Sequence, residues 1–153
     1  MADVGERTLR LQRVLPASRE RVFRACTEPG ELALWWGPHG FTTTPIVLDL
    51  RVGGRYRFAM QPPDGERFHL SGEFRAVDPP GHLEYTFRWE PPDPEDRETL
   101  VTVSLQDLDE STELGLVQSG FATEGRRALH EAGWTESLER LDGLLSSRGG
   151  ARD

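Results

Sequence analysis

Residues able to carry polar chemistry are few in this sequence. It holds four histidines and one cysteine, which are His39, His69, His82, His130 and Cys26. The histidines show no metal-ligand spacing, and one cysteine excludes an intrachain disulfide or a thiolate metal cluster. Cys26 lies four residues after Val22 on a predicted helix, which favours a buried, inert thiol. We therefore expect no bound metal and no cofactor.

His130 is the histidine whose position indicates more than a solvated side chain. It belongs to a helix predicted over residues 124–147, on a stripe of Arg127, His130, Trp134, Leu138, Leu141 and Leu145. One interpretation is a core histidine bonded to a neighbour. The other is contact with a ligand, or general acid/base catalysis with Glu131 or Gln118 as partner. Glu131 suits that role poorly, because adjacent helical residues point about 100° apart.

The elements that must position this helix are short strands. Alternating apolar and polar residues predict strands at residues 8–14, 42–50, 55–60, 68–75, 83–89, 101–105 and 114–118. The clearest alternation places Leu83, Tyr85 and Phe87 opposite Glu84 and Thr86. Two short helices are predicted between the first two strands, one capped by Ser18 and one opened by Pro29.

These elements predict an α+β fold in which a curved antiparallel sheet of six to seven strands grips the long C-terminal helix. An inner face this rich in aromatic residues needs that helix as a cover, and the gap between them is a natural cavity. We expect a ligand-binding set of Trp35, Trp36, Tyr56, Phe58, Phe74, Tyr85, Phe87, Trp89, Gln118, His130, Trp134 and Leu138. Trp35 and Trp36 could instead be structural packing at the mouth of the sheet.

Composition bounds the class of protein. The 153 residues predict a single domain over 1–153, with a core at about 8–147, flexible termini and a solvated acidic loop at 91–98. A net charge of −8 argues against binding to nucleic acid or to anionic membranes. The sequence lacks a signal peptide and a run of about 18 apolar residues, so we expect a cytoplasmic protein with no membrane association.

Four motifs, taken in order, resemble a known family. They are Trp35-Trp36-Gly37-Pro38, the segment Leu50–Tyr56, the turn at Val77–Pro80 leading to Leu83–Thr86, and Gly133-Trp134. They are similar to START-like domains homologous to the C-terminal domain of the Hsp90 ATPase activator, within the SRPBCC or Bet v 1-like superfamily. Many relatives have His where this chain has Gln118. The resemblance implies a helix-grip fold with a hydrophobic cavity, and members of the superfamily range from lipid carriers to polyketide cyclases.

Three functions therefore remain open. The leading prediction is binding of a small hydrophobic or aromatic ligand between the sheet and the C-terminal helix, oriented by His130, Gln118 and a tyrosine hydroxyl. The alternatives are a cofactor-independent enzyme of the cyclase or hydrolase type with His130 as base, and an interaction domain related to the Hsp90 activator. A homodimer and an Hsp90 partner are both left open by the sequence.

Overall fold

The computed structural model describes residues 7–91 and 97–147. The predictions of flexible termini and of an acidic loop at 91–98 lie wholly or mostly outside these residues. The elements follow in the order β1 (Arg7–Leu15), α1 (Arg19–Thr27), α2 (Pro29–Trp35), β2 (Thr42–Leu48), β3 (Arg55–Gln61), β4 (Phe68–Asp78), β5 (His82–Glu90), β6 (Thr99–Asp107), β7 (Thr112–Phe121) and α3 (Glu124–Ser147). The predicted α+β, helix-grip fold class is confirmed.

The seven strands form one curved, antiparallel sheet in the order β1-β7-β6-β5-β4-β3-β2. Sequential hairpins build β2 to β7, and β1 then adds beside β7. The helices α1 and α2 therefore carry the chain from one edge of the sheet to the other. The predicted strand over 42–50 ends earlier, at Leu48.

Local sequence signals account for the two short helices. The hydroxyl of Ser18 accepts a hydrogen bond from the backbone N–H of Arg21 at 3.2 Å, which caps α1. Pro29 opens α2, because its fixed φ suits the first helical turn and its missing N–H would have no partner there. Arg21 is buried and pairs with Glu31 at 3.2 Å, which joins α1 to α2.

The C-terminal helix α3 buries the apolar stripe that its spacing predicts. Leu138, Leu141 and Leu145 are at most 3% exposed, and each contributes about 1.5–3 kcal/mol through burial. Arg13 of β1 donates from Nε to a carboxylate oxygen of Asp142 at 3.0 Å, which ties the helix to the edge strand. These contacts show that the C-terminal half of α3 packs on the sheet. No helix among the described residues is long and apolar enough to span a bilayer.

A glycine in β4 sets the spacing of the inner face. A Cβ built on Gly72 would lie 1.9 Å from the carbonyl oxygen of Thr86 and 2.7 Å from the ring of Tyr56. Because no side chain occupies that space, the Tyr56 ring crosses β4 and its hydroxyl donates to the Thr86 carbonyl at 2.6 Å. Gly72 therefore permits the close packing of Tyr56 across β4 against β5.

Candidate ligand-binding pocket

A pocket of about 410 Å³ lies between the N-terminal half of α3 and the sheet. We call it the main pocket. Its lining comprises Trp36, Gly37, Pro38, Phe41, Met60, Phe68, Phe87, Trp89, Pro91, Arg126, Leu129, His130, Gly133, Trp134 and Ser137. Leu129 is 57% exposed and marks the rim. The volume falls within the range of about 300–1,000 Å³ that small-molecule sites occupy.

His130 is held on both of its ring nitrogens. The indole N–H of Trp89 donates to Nε2 at 2.9 Å, and Nδ1 lies 2.8 Å from the carbonyl oxygen of Arg126. An indole nitrogen can only donate and a carbonyl can only accept, so Nε2 is the acceptor and Nδ1 carries the proton. The rings of Phe87 and Phe121 pack against the imidazole with centroids 5.5 and 4.9 Å away. The imidazole is therefore neutral and fixed in one tautomer.

A second chain of hydrogen bonds fixes Trp134. Its indole N–H donates to the side-chain oxygen of Gln118 at 2.8 Å, and the Gln118 amide donates to the hydroxyl of Thr99 at 2.8 Å. That hydroxyl in turn approaches the carbonyl of Phe87 at 3.5 Å. Gln118 is completely buried. This series of hydrogen bonds connects α3 to β7, β6 and β5. The sheet therefore fixes the orientation of the Trp134 ring, which forms one wall of the main pocket.

The loop of residues 36–41 forms one side of the main pocket and is held by α3. Ser137 accepts from the backbone N–H of Gly37 at 3.1 Å, and Arg140 donates to the carbonyls of Gly37 and Pro38 at 3.0 and 3.2 Å. Gly37 and Gly40 have φ of 107° and 90°, a region that favours glycine. Because Arg140 points at carbonyls rather than a carboxylate, desolvation lowers the pKa of its guanidinium.

The predicted ligand-binding residues separate into three groups. Five line the main pocket, namely Trp36, Phe87, Trp89, His130 and Trp134. Gln118 lies behind Trp134 as its hydrogen-bond acceptor, and Leu138 is buried in the core. Trp35 is also core, with its indole N–H donating to the Ala25 carbonyl at 2.9 Å.

The remaining four predicted residues line a smaller void. Tyr56, Phe58, Phe74 and Tyr85 surround a cleft of about 20 Å³, together with Cys26, Leu32, Trp36 and Leu48. We call it the inner cleft. Its volume suits one water molecule rather than a ligand. Burial raises the pKa of the Tyr85 phenol and the Tyr56 phenol, and it raises the pKa of the Cys26 thiol to about 12. None of these groups is therefore an ionised nucleophile near neutral pH.

Sequence reasoning missed ten lining residues of the main pocket. They are Gly37, Pro38, Phe41, Met60, Phe68, Pro91, Arg126, Leu129, Gly133 and Ser137. A signal did exist for those on α3, since positions 126, 133 and 137 share a helical face with His130 and Trp134 at spacings of three, four and seven residues. For Met60 and Phe68 the signal was their place on the apolar face of adjacent strands, where they are paired in the register.

The described residues form a pocket that is mainly apolar. No group of three or more histidine, cysteine, aspartate or glutamate side chains in residues 7–91 and 97–147 could hold a metal ion. Arg126 is the one charged side chain among the described lining residues. A helix-grip domain with a cavity under its C-terminal helix belongs to the START-like class of α+β domains, whose fold is of a ligand-binding type.

Comparison with known proteins identifies the family. The sequence profile of the Activator of Hsp90 ATPase homolog 1-like proteins matches residues 16–146, and the chain belongs to that family. No protein of curated function matches the chain in sequence.

Solved structures give the same result. A protein from Chromobacterium violaceum is 32% identical with a TM-score of 0.81, covering 91% of this chain and 96% of that one. The AHSA1 protein from Silicibacter pomeroyi is 28% identical with a TM-score of 0.81, covering 92% and 99%. A protein from Arthrobacter aurescens is 27% identical with a TM-score of 0.83, covering 96% and 90%.

Proposed function

We propose that this protein binds a small, apolar, largely aromatic molecule in the main pocket. The observation that carries the proposal is a void of about 410 Å³ whose walls are mainly apolar and rich in aromatic side chains, with Arg126 as the one charged side chain among the described lining residues. Such a void favours a ligand that replaces water with apolar contact. The family assignment supports a ligand-binding type of domain in general, and the pocket supplies the chemical class.

The fixed orientation of the walls supports binding further. Trp89 and Trp134 are each anchored by a hydrogen bond from the indole N–H, to His130 and to Gln118. A ligand entering between them does not have to order these rings, so it does not lose affinity to side-chain entropy. This arrangement favours a pre-formed pocket over one assembled on binding.

The contacts of His130 favour a wall residue over a general base. Abstraction of a proton from a substrate would use the lone pair on Nε2, and that lone pair already accepts from Trp89 at 2.9 Å. A cyclase or hydrolase mechanism would require Trp89 to move first. If such an enzyme activity is found, His130→Ala should abolish it without unfolding the protein. Retained turnover in that variant would exclude His130 as the base.

The proposal is tested by filling the main pocket from α3. Gly133 lines the pocket, and a Cβ placed there meets only Pro38, at 3.9 Å. Gly143 lies on the same helix with nothing within 4 Å of its Cβ and outside the pocket lining. Gly133→Leu should therefore occupy the void, and Gly143→Leu is the matched control. Both substitutions replace glycine within a helix, so both should keep or raise stability.

The assay uses naphthalene, biphenyl, isopropenylnaphthalene, methyl naphthyl ketone and decanol as probes. Tryptophan fluorescence reports binding directly, because Trp36, Trp89 and Trp134 line the main pocket. We expect saturable binding by the aromatic probes and at least a tenfold loss of affinity in Gly133→Leu, with the control unchanged. The absence of binding by every probe, or equal binding by both variants, would overturn the proposed function. A pull-down on bacterial Hsp90 tests separately whether this protein binds that chaperone.

A further inference from the structure

One tryptophan of the pocket differs from the other three in its hydrogen bonding. The sequence has four tryptophans, and three have an acceptor for the ring N–H. Trp35 donates to the Ala25 carbonyl at 2.9 Å, Trp89 to His130 at 2.9 Å and Trp134 to Gln118 at 2.8 Å. Buried indole N–H groups usually find such partners, because an unsatisfied donor costs about 1–3 kcal/mol.

Trp36 has no acceptor for its ring N–H among the described residues. Its hydrogen bonds are made by the backbone, whose carbonyl accepts from the hydroxyl of Thr43 at 2.9 Å and from Arg140 at 3.4 Å. The side chain is 7% exposed and is held by edge contacts to Phe58 and Trp134, each with centroids 5.0 Å apart.

Protein atoms do not fully enclose the ring nitrogen of Trp36. The ring nitrogen of Trp36 is not among the fully enclosed side-chain atoms of the described residues that lack a hydrogen-bond partner. Trp36 borders both the main pocket and the inner cleft. A nearly buried donor that has no protein acceptor and belongs to a ring beside a void can donate a hydrogen bond to a ligand atom.

We propose that the Trp36 indole N–H orients the ligand of the main pocket by donating to an oxygen acceptor on it. The inference rests on the proposed function and sharpens it. The ligand class becomes an uncharged aromatic molecule bearing a carbonyl or ether oxygen. A charged acceptor is disfavoured beside the Trp36 ring, whose neighbours Phe58 and Trp134 are apolar, because burying an ionised group there costs more than one hydrogen bond from a neutral donor returns.

The histidine and the serine of the lining support this assignment to Trp36, because both already have hydrogen-bond partners. Both nitrogens of His130 are committed to Trp89 and to the Arg126 carbonyl. The hydroxyl of Ser137 donates to the Gly133 carbonyl at 2.9 Å and accepts from the Gly37 N–H. A ligand oxygen facing these groups would compete with bonds already made. A ligand oxygen facing Trp36 would give the indole N–H of that residue the acceptor that it lacks among the described residues.

The pocket should prefer a ligand with an oxygen acceptor over a hydrocarbon of the same shape, because both displace water from the Trp36 N–H. Solvent that enters the unliganded pocket can accept a hydrogen bond from the Trp36 N–H, and a ligand that fills the pocket removes that solvent. A ligand with an oxygen at that place restores the bond, and a hydrocarbon of the same shape leaves the donor unpaired, which lowers its affinity. The comparison therefore needs two ligands that differ only in the acceptor.

Methyl naphthyl ketone and isopropenylnaphthalene form such a pair, since a C=CH₂ group replaces the C=O group at nearly constant shape. The dissociation constants of both are measured on wild-type protein, on Trp36→Phe and on Trp134→Phe. We expect the ratio of the hydrocarbon constant to the ketone constant to fall about threefold to tenfold in Trp36→Phe. The ratio should stay at its wild-type value in Trp134→Phe, because that N–H is already bonded to Gln118.

A spectroscopic measurement keeps the test independent of any variant's folding. In wild-type protein with nitrogen-15 in its indole rings, the ketone should shift one tryptophan N–H resonance downfield and slow its exchange with solvent, and the hydrocarbon should do neither. An unchanged ratio in Trp36→Phe, with both probes bound and no selective indole shift, would overturn this inference and leave the proposed function standing. Failure of every probe to bind the wild-type protein would overturn both.

Discussion

Replacing Gln118 with leucine should destabilise the fold far more than a surface substitution does. Gln118 is completely buried, accepts from the Trp134 indole at 2.8 Å and donates to the Thr99 hydroxyl at 2.8 Å. Leucine has a similar size, so the change leaves little cavity. It removes both hydrogen bonds and leaves the Trp134 N–H buried without an acceptor.

The magnitude follows from those two lost partners. An orphaned buried polar group costs about 1–3 kcal/mol. The Trp134 N–H loses the acceptor that it has in the structure, Gln118, whereas the Thr99 hydroxyl keeps its 3.5 Å approach to the Phe87 carbonyl and loses less. We therefore expect Gln118→Leu to lower the free energy of unfolding by about 2–4 kcal/mol, a large part of the ~5–15 kcal/mol that stabilises a typical domain.

Gln118→His is the informative control. A neutral imidazole has one acceptor nitrogen and one donor nitrogen, so it can meet both Trp134 and Thr99 as the amide does. At pH 8 we expect it to lose less than half as much stability as Gln118→Leu. Protonation would turn the acceptor into a donor facing the Trp134 N–H.

The introduced imidazole should also make the free energy of unfolding of Gln118→His fall as the pH is lowered. Burial and the opposing donor should hold its folded-state pKa below the ordinary value of about 6.5, which the unfolded chain retains. Below pH 6.5 the unfolded chain then binds more protons than the folded one, so stability is full above that pH and falls as the pH is lowered. Wild-type protein and Gln118→Leu have no titrating group at this position.

Urea denaturation at pH 8 and at pH 5.5, followed by circular dichroism, measures all three proteins. The pH dependence of the wild-type protein is subtracted from that of each variant. The reasoning would be refuted by a cost below about 1 kcal/mol for Gln118→Leu, since one orphaned donor alone should exceed it. A histidine variant that loses no extra stability at pH 5.5 would refute the assigned contact with Trp134.

Two further predictions concern the core. Gly72→Ala should cost about 1–3 kcal/mol by overpacking, because its Cβ would lie 1.9 Å from the Thr86 carbonyl oxygen, whereas Gly143→Ala has open space and should gain about 0.5–1 kcal/mol; thermal melts that rank the two the other way would contradict the geometry. Cys26 is half-buried, and desolvation raises the pKa of its thiol from 9.0 to about 12, so Ellman's reagent at pH 8 should label the native thiol slowly and the unfolded one rapidly. Between pH 9 and about pH 12 the thiol ionises only in the unfolded chain, so the free energy of unfolding should fall as the pH rises above 9. Cys26→Ala should weaken this pH dependence.

Local periodicity predicted most of the fold. Alternation along β5 identified its inner face, and the helical spacing of Leu138, Leu141 and Leu145 identified the buried stripe of α3, because each pattern depends only on the geometry of its own element. Phe87, Trp89, His130 and Trp134, which line the main pocket, were predicted in the same way. Trp36 was predicted from its place at the end of a short helix. The burial of Gln118 was less apparent, because a polar residue at an inward position is only interpretable once its partners are known.

The division between pocket and core was decided by the tertiary structure. Tyr56 and Phe87 have the same inward, aromatic character in the sequence, yet one fills the core beside the inner cleft and the other lines the main pocket. What separates them is where α3 lies along the curved sheet, a long-range packing choice. The same choice brings His130 to Trp89, 41 residues away, and leaves the ring of Trp36 without an acceptor in the part of the chain that the structure describes. The sequence alone determined which side chains face inward, and only the packing of helix on sheet determined which of them are left facing a void.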